Sequence, residues 1–138
     1  MKTILVVDDE PEVRKLVAAM LVNNGYRVLT AGTAEDAVQL FGANPDTDLL
    51  LTDVGDSATA MSGPMTADQI AVIKPDIKVL FMSGYDGTQA VQRYVAEKGY
   101  AQLVKPFTME QLAGKIRSML DSDDKSIGTS AKRANPAD

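Results

Sequence analysis

Apolar residues along this chain fall into two kinds of stretch that take turns: short continuous runs, and longer segments in which they recur every three or four positions. Ile4-Leu5-Val6-Val7 is the first run, β-branched at three of four positions and ended by Asp8-Asp9. Such a run suits a strand covered on both faces, as in a parallel sheet. Pro11 follows where a helix tolerates proline, in its first turn. Val13, Leu16, Val17, Met20 and Leu21 continue at helical spacing to a stop at Asn24-Gly25. Tyr26 to Thr30 reads as a second strand. Thr33 and Asp36 then open a helix with a near capping box and an inner stripe of Ala34, Ala37, Val38 and Phe41.

Asp48 to Thr52 is a third buried strand, ending at Asp53. A loop rich in Gly, Ser, Ala and Thr runs from Gly55 to Gly63, and a weakly patterned helix from Met65 to Ile73 stops before Pro75. Lys78 to Met82 is the fourth strand, ending at Ser83-Gly84, and Val91, Tyr94 and Val95 mark a fourth helix. Ala101 to Val104 forms a short strand ending at Lys105-Pro106. Thr108 and Gln111 make a capping box for the last helix, whose stripe is Met109, Leu112, Ile116, Met119 and Leu120. Strand and helix thus alternate five times, which predicts an α/β fold with a parallel sheet and helices on both faces. From about Ser122 the apolar periodicity ends, so a domain at 1–121 and a flexible tail at 122–138 are expected.

The strand ends carry the polar residues with chemistry. In an open α/β sheet, ligands bind beyond the carboxyl ends of the strands, where the strand order reverses. Strand one ends in Asp8-Asp9, strand three in Asp53, strand four in Ser83 and strand five in Lys105, whereas strand two ends in Ala31-Gly32. A strand order of 2-1-3-4-5 would gather every reactive group on one rim. Three carboxylates there repel one another, and a hard divalent cation resolves the conflict. Mg²⁺ prefers near-octahedral oxygen ligands, several of them water, with one or two carboxylates and a phosphate oxygen. Asp9 and Asp53 are the expected direct ligands, Asp8 acts mainly through water, and the Gly55 backbone carbonyl is placed to help. Such a site suits phosphoryl transfer, with Asp53 as nucleophile and the Lys105 ammonium neutralising charge on the transferred group. The Ser83 hydroxyl can bond the new phosphoryl group, and Gly84 leaves space beside it.

Composition narrows the alternatives. Cysteine and histidine are both absent, which removes thiolate chemistry, the commonest general base and the usual zinc ligand. A net charge of −5 and the lack of a basic stripe argue against a nucleic-acid partner. No apolar run approaches the ~20 residues that span a bilayer, and with no cleavable signal pattern the expected location is cytoplasmic. Taken singly, each polar feature has a plainer reading: Asp-Asp before a helix as capping, Asp53 as a turn residue, Ser-Gly and Lys-Pro as turn punctuation. Their shared position at strand ends, in this order, favours the site.

Ile4 to Pro11, Leu49 to Asp53, Met61 to Pro64, Val79 to Tyr85 and Val104 to Phe107 resemble the receiver domains of response regulators in two-component signalling, over residues 1 to about 121. The wording is closer to receivers attached to hybrid histidine kinases than to those of DNA-binding regulators. The resemblance implies a flavodoxin-like (βα)5 three-layer sandwich with sheet order 2-1-3-4-5. It implies Asp53 as phosphoacceptor, Asp8 and Asp9 at a Mg²⁺ site, Ser83 as switch hydroxyl, Lys105 as the family's lysine and a cis Lys105-Pro106 bond. The phosphoryl group would come from a histidine kinase or a histidine phosphotransfer protein, and output would go through protein contacts to an unknown target.

Two departures from the family pattern stand out. The stretch from Val54 to Ala60 makes the loop after Asp53 about two residues longer and lacks the usual proline; Asp56 either adds a ligand or faces water, the latter being favoured. Gln102 occupies the position of the family's aromatic rotor, so either Tyr100 or Tyr85 substitutes, or the output surface switches differently. These departures support a rival reading, a pseudo-receiver that binds proteins without phosphorylation. A third reading, an aspartyl-nucleophile phosphatase, wants Asp-x-Asp after a strand, whereas Asp53 is followed by Val54, Gly55 and Asp56.

Overall fold

Every short apolar run becomes a strand of one sheet in the structure, a computed structural model that describes residues 1–54, 62–83 and 89–129. The elements are β1 (Thr3–Val7), α1 (Pro11–Asn23), β2 (Arg27–Ala31), α2 (Ala34–Ala43), β3 (Leu49–Asp53), α3 (Ser62–Ile73), β4 (Lys78–Ser83), α4 (Gln89–Lys98), β5 (Ala101–Val104) and α5 (Met109–Thr129). The strands lie in the order β2-β1-β3-β4-β5, and all pair in parallel. This is the flavodoxin-like arrangement that the resemblance implies.

Successive strand residues point to opposite faces, so each buried run feeds two cores. Leu5, Leu50, Val79 and Phe81 pack with Ala37 and Phe41 of α2, Ala67 and Ile70 of α3, and Val95 of α4. Ile4, Val6, Leu49, Leu51, Leu80 and Met82 pack on the other side with Val17 and Leu21 of α1 and Leu112, Ile116 and Leu120 of α5. Fully burying a side chain the size of Phe41 or Leu112 contributes about 2–3 kcal/mol, so these two layers hold the sheet.

Local signals begin and end most of the helices as expected. Thr33 Oγ1 accepts from the Asp36 N–H at 3.1 Å. Thr108 and Gln111 form the full reciprocal box, at 2.8 and 2.9 Å. Gly25, with φ of 93°, turns the chain out of α1. Leu16, expected on the inner stripe of α1, is 57% exposed. At about 100° per residue it stands a quarter-turn or more from Val17, on the flank of the contact rather than in it. β3 starts one residue later than expected, at Leu49, and both β3 and β4 run one residue further, to Asp53 and Ser83, because pairing with Met82 and Val104 continues to those positions. α3 starts at Ser62 rather than Met65, and α5 runs to Thr129 past the expected boundary at 121. No glycine or proline stands between Leu120 and Gly128, so the end of the apolar stripe at Leu120 is not a helix stop.

Candidate functional site

Parallel pairing brings the carboxyl ends of all five strands to one rim. Asp8 and Asp9 leave β1, Asp53 ends β3, Ser83 ends β4 and Lys105 follows β5. One oxygen from each of Asp8, Asp9 and Asp53 lies within 4.8 Å of the others. Lys105 Nζ stands 3.5 Å from Asp53 Oδ1, and the Lys105-Pro106 bond is cis. A cleft of about 220 Å³ opens over the three carboxylates, lined among others by Val7, Thr52, Gly63 and Thr66.

Asp8 is fixed through both its backbone and its side chain. Its N–H donates to the Ala31 carbonyl at 3.1 Å, and its own carbonyl accepts from Arg14 Nη1 at 2.7 Å. Asp8 Oδ1 accepts from the Glu10 N–H at 2.9 Å. Oδ2 is buried and has no hydrogen-bond partner among the described residues. Burial raises the Asp8 pKa above the ordinary carboxylate value; the Glu10 N–H opposes this, the Asp53 charge adds to it, and Lys105 again opposes it. A buried acceptor without a donor is costly. Here it sits beside two further carboxylate oxygens, which is the donor set a hard divalent cation takes. The residues therefore fit a Mg²⁺ ion.

Ser83 is 1% exposed. Its Oγ accepts from Gln102 Nε2 at 2.7 Å. Tyr100, one of the two tyrosines weighed as a substitute rotor, packs instead in a ring cluster, with its centroid 6.1 Å from that of Phe81 and 6.0 Å from that of Tyr94. Gly55, Asp56, Gly84 and Tyr85 lie outside the described residues.

The family model for the response regulator receiver domain matches residues 4–117. This chain belongs to that family. It is a receiver domain of two-component systems, and its relatives carry such domains in several settings. Sensor kinase CckA of Brucella abortus is 31% identical over 123 residues, which is 88% of this chain but 13% of the kinase. Nitrogen assimilation regulatory protein NtrX of Azorhizobium caulinodans is 29% identical, over 79% of this chain and 24% of that protein. Response regulator receiver protein CpdR of Brucella abortus is 29% identical over 87% of this chain and 98% of its own length. The receiver thus spans a small part of the first two and nearly all of the third. Among solved structures, a CheY-like receiver from Methanospirillum hungatei superposes with a TM-score of 0.80 at 26% identity, over 91% of this chain and 98% of that one. The receiver of the hybrid histidine kinase CckA gives 0.69 at 28%, over 86% and 98%.

Several residues that shape the receiver's rim are not marked by strand-end chemistry. Thr66 lines the cleft with 1% exposure. It belongs to the weakly patterned α3, where nothing in the spacing sets it apart. Arg14 acts on the Asp8 backbone from α1, one turn beyond the acidic pair. Gly63 packs so close that a Cβ there would lie 2.5 Å from the Asp53 carbonyl oxygen and 3.0 Å from Val54 Cα. Its place in the Met61 to Pro64 motif was the available signal, since only a glycine lets backbone approach backbone that closely.

Proposed function

We propose that this receiver accepts a phosphoryl group on Asp53, in the presence of Mg²⁺, and passes its phosphorylation state on through protein contacts. The observation that carries the reading is the convergence of Asp8, Asp9 and Asp53, with Lys105 Nζ at 3.5 Å from Asp53. Asp8, Asp9 and Asp53 would hold the ion, with the Gly55 carbonyl as a further ligand. When bound, Mg²⁺ neutralises carboxylate repulsion and offsets charge on the phosphoryl oxygens. An Asp53 carboxylate oxygen attacks phosphorus in line with the leaving group. The donor is a phosphohistidine on a histidine kinase or phosphotransfer protein: its P–N bond breaks and the electron pair stays with the imidazole nitrogen. This fits a chain that has no histidine of its own. Lys105 pairs with the phosphoryl oxygens, and the buried Ser83 hydroxyl donates to one of them.

The domain promotes its own phosphorylation and dephosphorylation and turns over no small substrate. Residues 1–121 form the receiver, it works in the cytoplasm, and its target is a protein rather than nucleic acid or membrane. Among the described residues no helix is long and apolar enough to cross a membrane. Incubation with Mg²⁺ and acetyl phosphate is expected to add the mass of one phosphoryl group, and Asp53→Asn to abolish the gain. Failure of the wild type to gain that mass would leave a phosphorylation-independent binding module as the better description.

A further inference from the structure

We propose that Gln102 is a positioning residue for Ser83, holding its hydroxyl so that the single proton is free for the phosphoryl group; the inference rests on Asp53 being the phosphoacceptor. A serine hydroxyl has one proton and two lone pairs, whereas the amide nitrogen of glutamine can only donate. With Gln102 Nε2 at 2.7 Å, one lone pair of Ser83 Oγ is used and its proton is left to be given elsewhere. Donation into the oxygen also polarises the O–H bond and strengthens it as a donor.

Register explains why Gln102 can reach. Its Cα pairs with Phe81 across β4 and β5, so the two side chains share a face, and Ser83 stands two residues beyond Phe81 on that same face. Tyr100, two residues before Gln102, shares it as well and is held in ring contact with Phe81 and with Tyr94 of α4. The amide and the strand-end hydroxyl therefore share the face of the sheet that carries Phe81 and packs with Val95 of α4. Any move of Ser83 toward a group on Asp53 either draws the amide along or breaks the bond.

The test compares the full chain with Gln102→Met, which keeps the length and removes the donor, and with Gln102→Glu, which accepts the serine proton instead of supplying one. Each is made with and without Ser83→Ala. Phosphorylation by acetyl phosphate with Mg²⁺, followed by intact mass, is expected to slow about three- to tenfold in Gln102→Met, the factor that one hydrogen bond ordinarily supplies. Gln102→Glu should slow it at least as much. Neither substitution should slow it further once Ser83 is alanine. Equal slowing in both backgrounds would mean that Gln102 acts through packing and would overturn the proposal. So would an unchanged rate in Gln102→Met alongside normal wild-type phosphorylation, which leaves the phosphoacceptor reading intact. A wild type that takes no phosphoryl group overturns both. Independently of phosphorylation, the Gln102 side-chain amide resonances of the metal-free protein should shift in Ser83→Ala; resonances that stay in place would sink the proposal.

Discussion

Asp8 shows how one side chain can be held in a position that does not suit it. Burial and the neighbouring Asp53 charge raise its pKa, and Oδ2 lacks a donor among the described residues. A raised acid binds more protons folded than unfolded between the two pKa values. Its contribution to stability is complete below the unfolded value and is lost as pH rises through the folded one. Metal-free protein should therefore gain stability from this group as pH falls from neutral, until other carboxylates begin to protonate. Asp8→Asn is expected to raise metal-free stability at neutral pH, to flatten that pH dependence and to shrink the stabilisation that added Mg²⁺ provides. Thermal unfolding followed by circular dichroism from about pH 5 to pH 8, with and without Mg²⁺, checks all three, the range being that in which native stability usually peaks. The acidic residues themselves were legible as strand-end groups. That Asp8 would be the buried one, with Asp9 exposed, was not, because burial depends on how α1 and β2 close over the end of β1.

Among the elements, those with dense apolar runs or full caps were read to within a residue or so. β5 and α5 begin where the chain pattern places them, and β1 begins one residue earlier, at Thr3, since strand and cap signals are local. α3 was the weakest reading, three residues short at its start, because its stripe is thin and its first turn is set by contact with β3. Gly63 makes that contact: its N–H donates to the Val54 carbonyl at 3.3 Å while its Cα faces the Asp53 backbone. Gly63→Ala would push backbone from backbone, which no rotamer change can relieve. It should destabilise the domain by about 1–3 kcal/mol in urea unfolding and weaken the response to Mg²⁺, because the shift falls on the end of β3 that carries Asp53. Leu16 illustrates the opposite error. Helical spacing admits it to the stripe of α1, yet Val13, Val17, Met20 and Leu21 are the residues of that helix that pack on the sheet.

For the molecule as a whole, two cores on either side of one sheet account for the folded unit, and the last buried residue described is Leu120. A chain ending at Asp121 is therefore expected to keep its fold, losing less than about 1 kcal/mol, as surface changes outside the core usually do. Denaturant unfolding of that truncated chain beside the full one measures the difference, and a large loss would place the domain boundary further along α5. The number, kind and order of the elements, and the residues at each strand end, could be read from the chain itself, because helix and strand formation answer to apolar spacing over a few neighbours. What tertiary structure decided was which atoms meet: the Gln102–Ser83 bond across 19 residues, the orphaned oxygen of Asp8 and the backbone pressed against Gly63. Those contacts follow from strand register and helix crossover, distances set by the packing of both cores at once, and no local spacing rule carries that information.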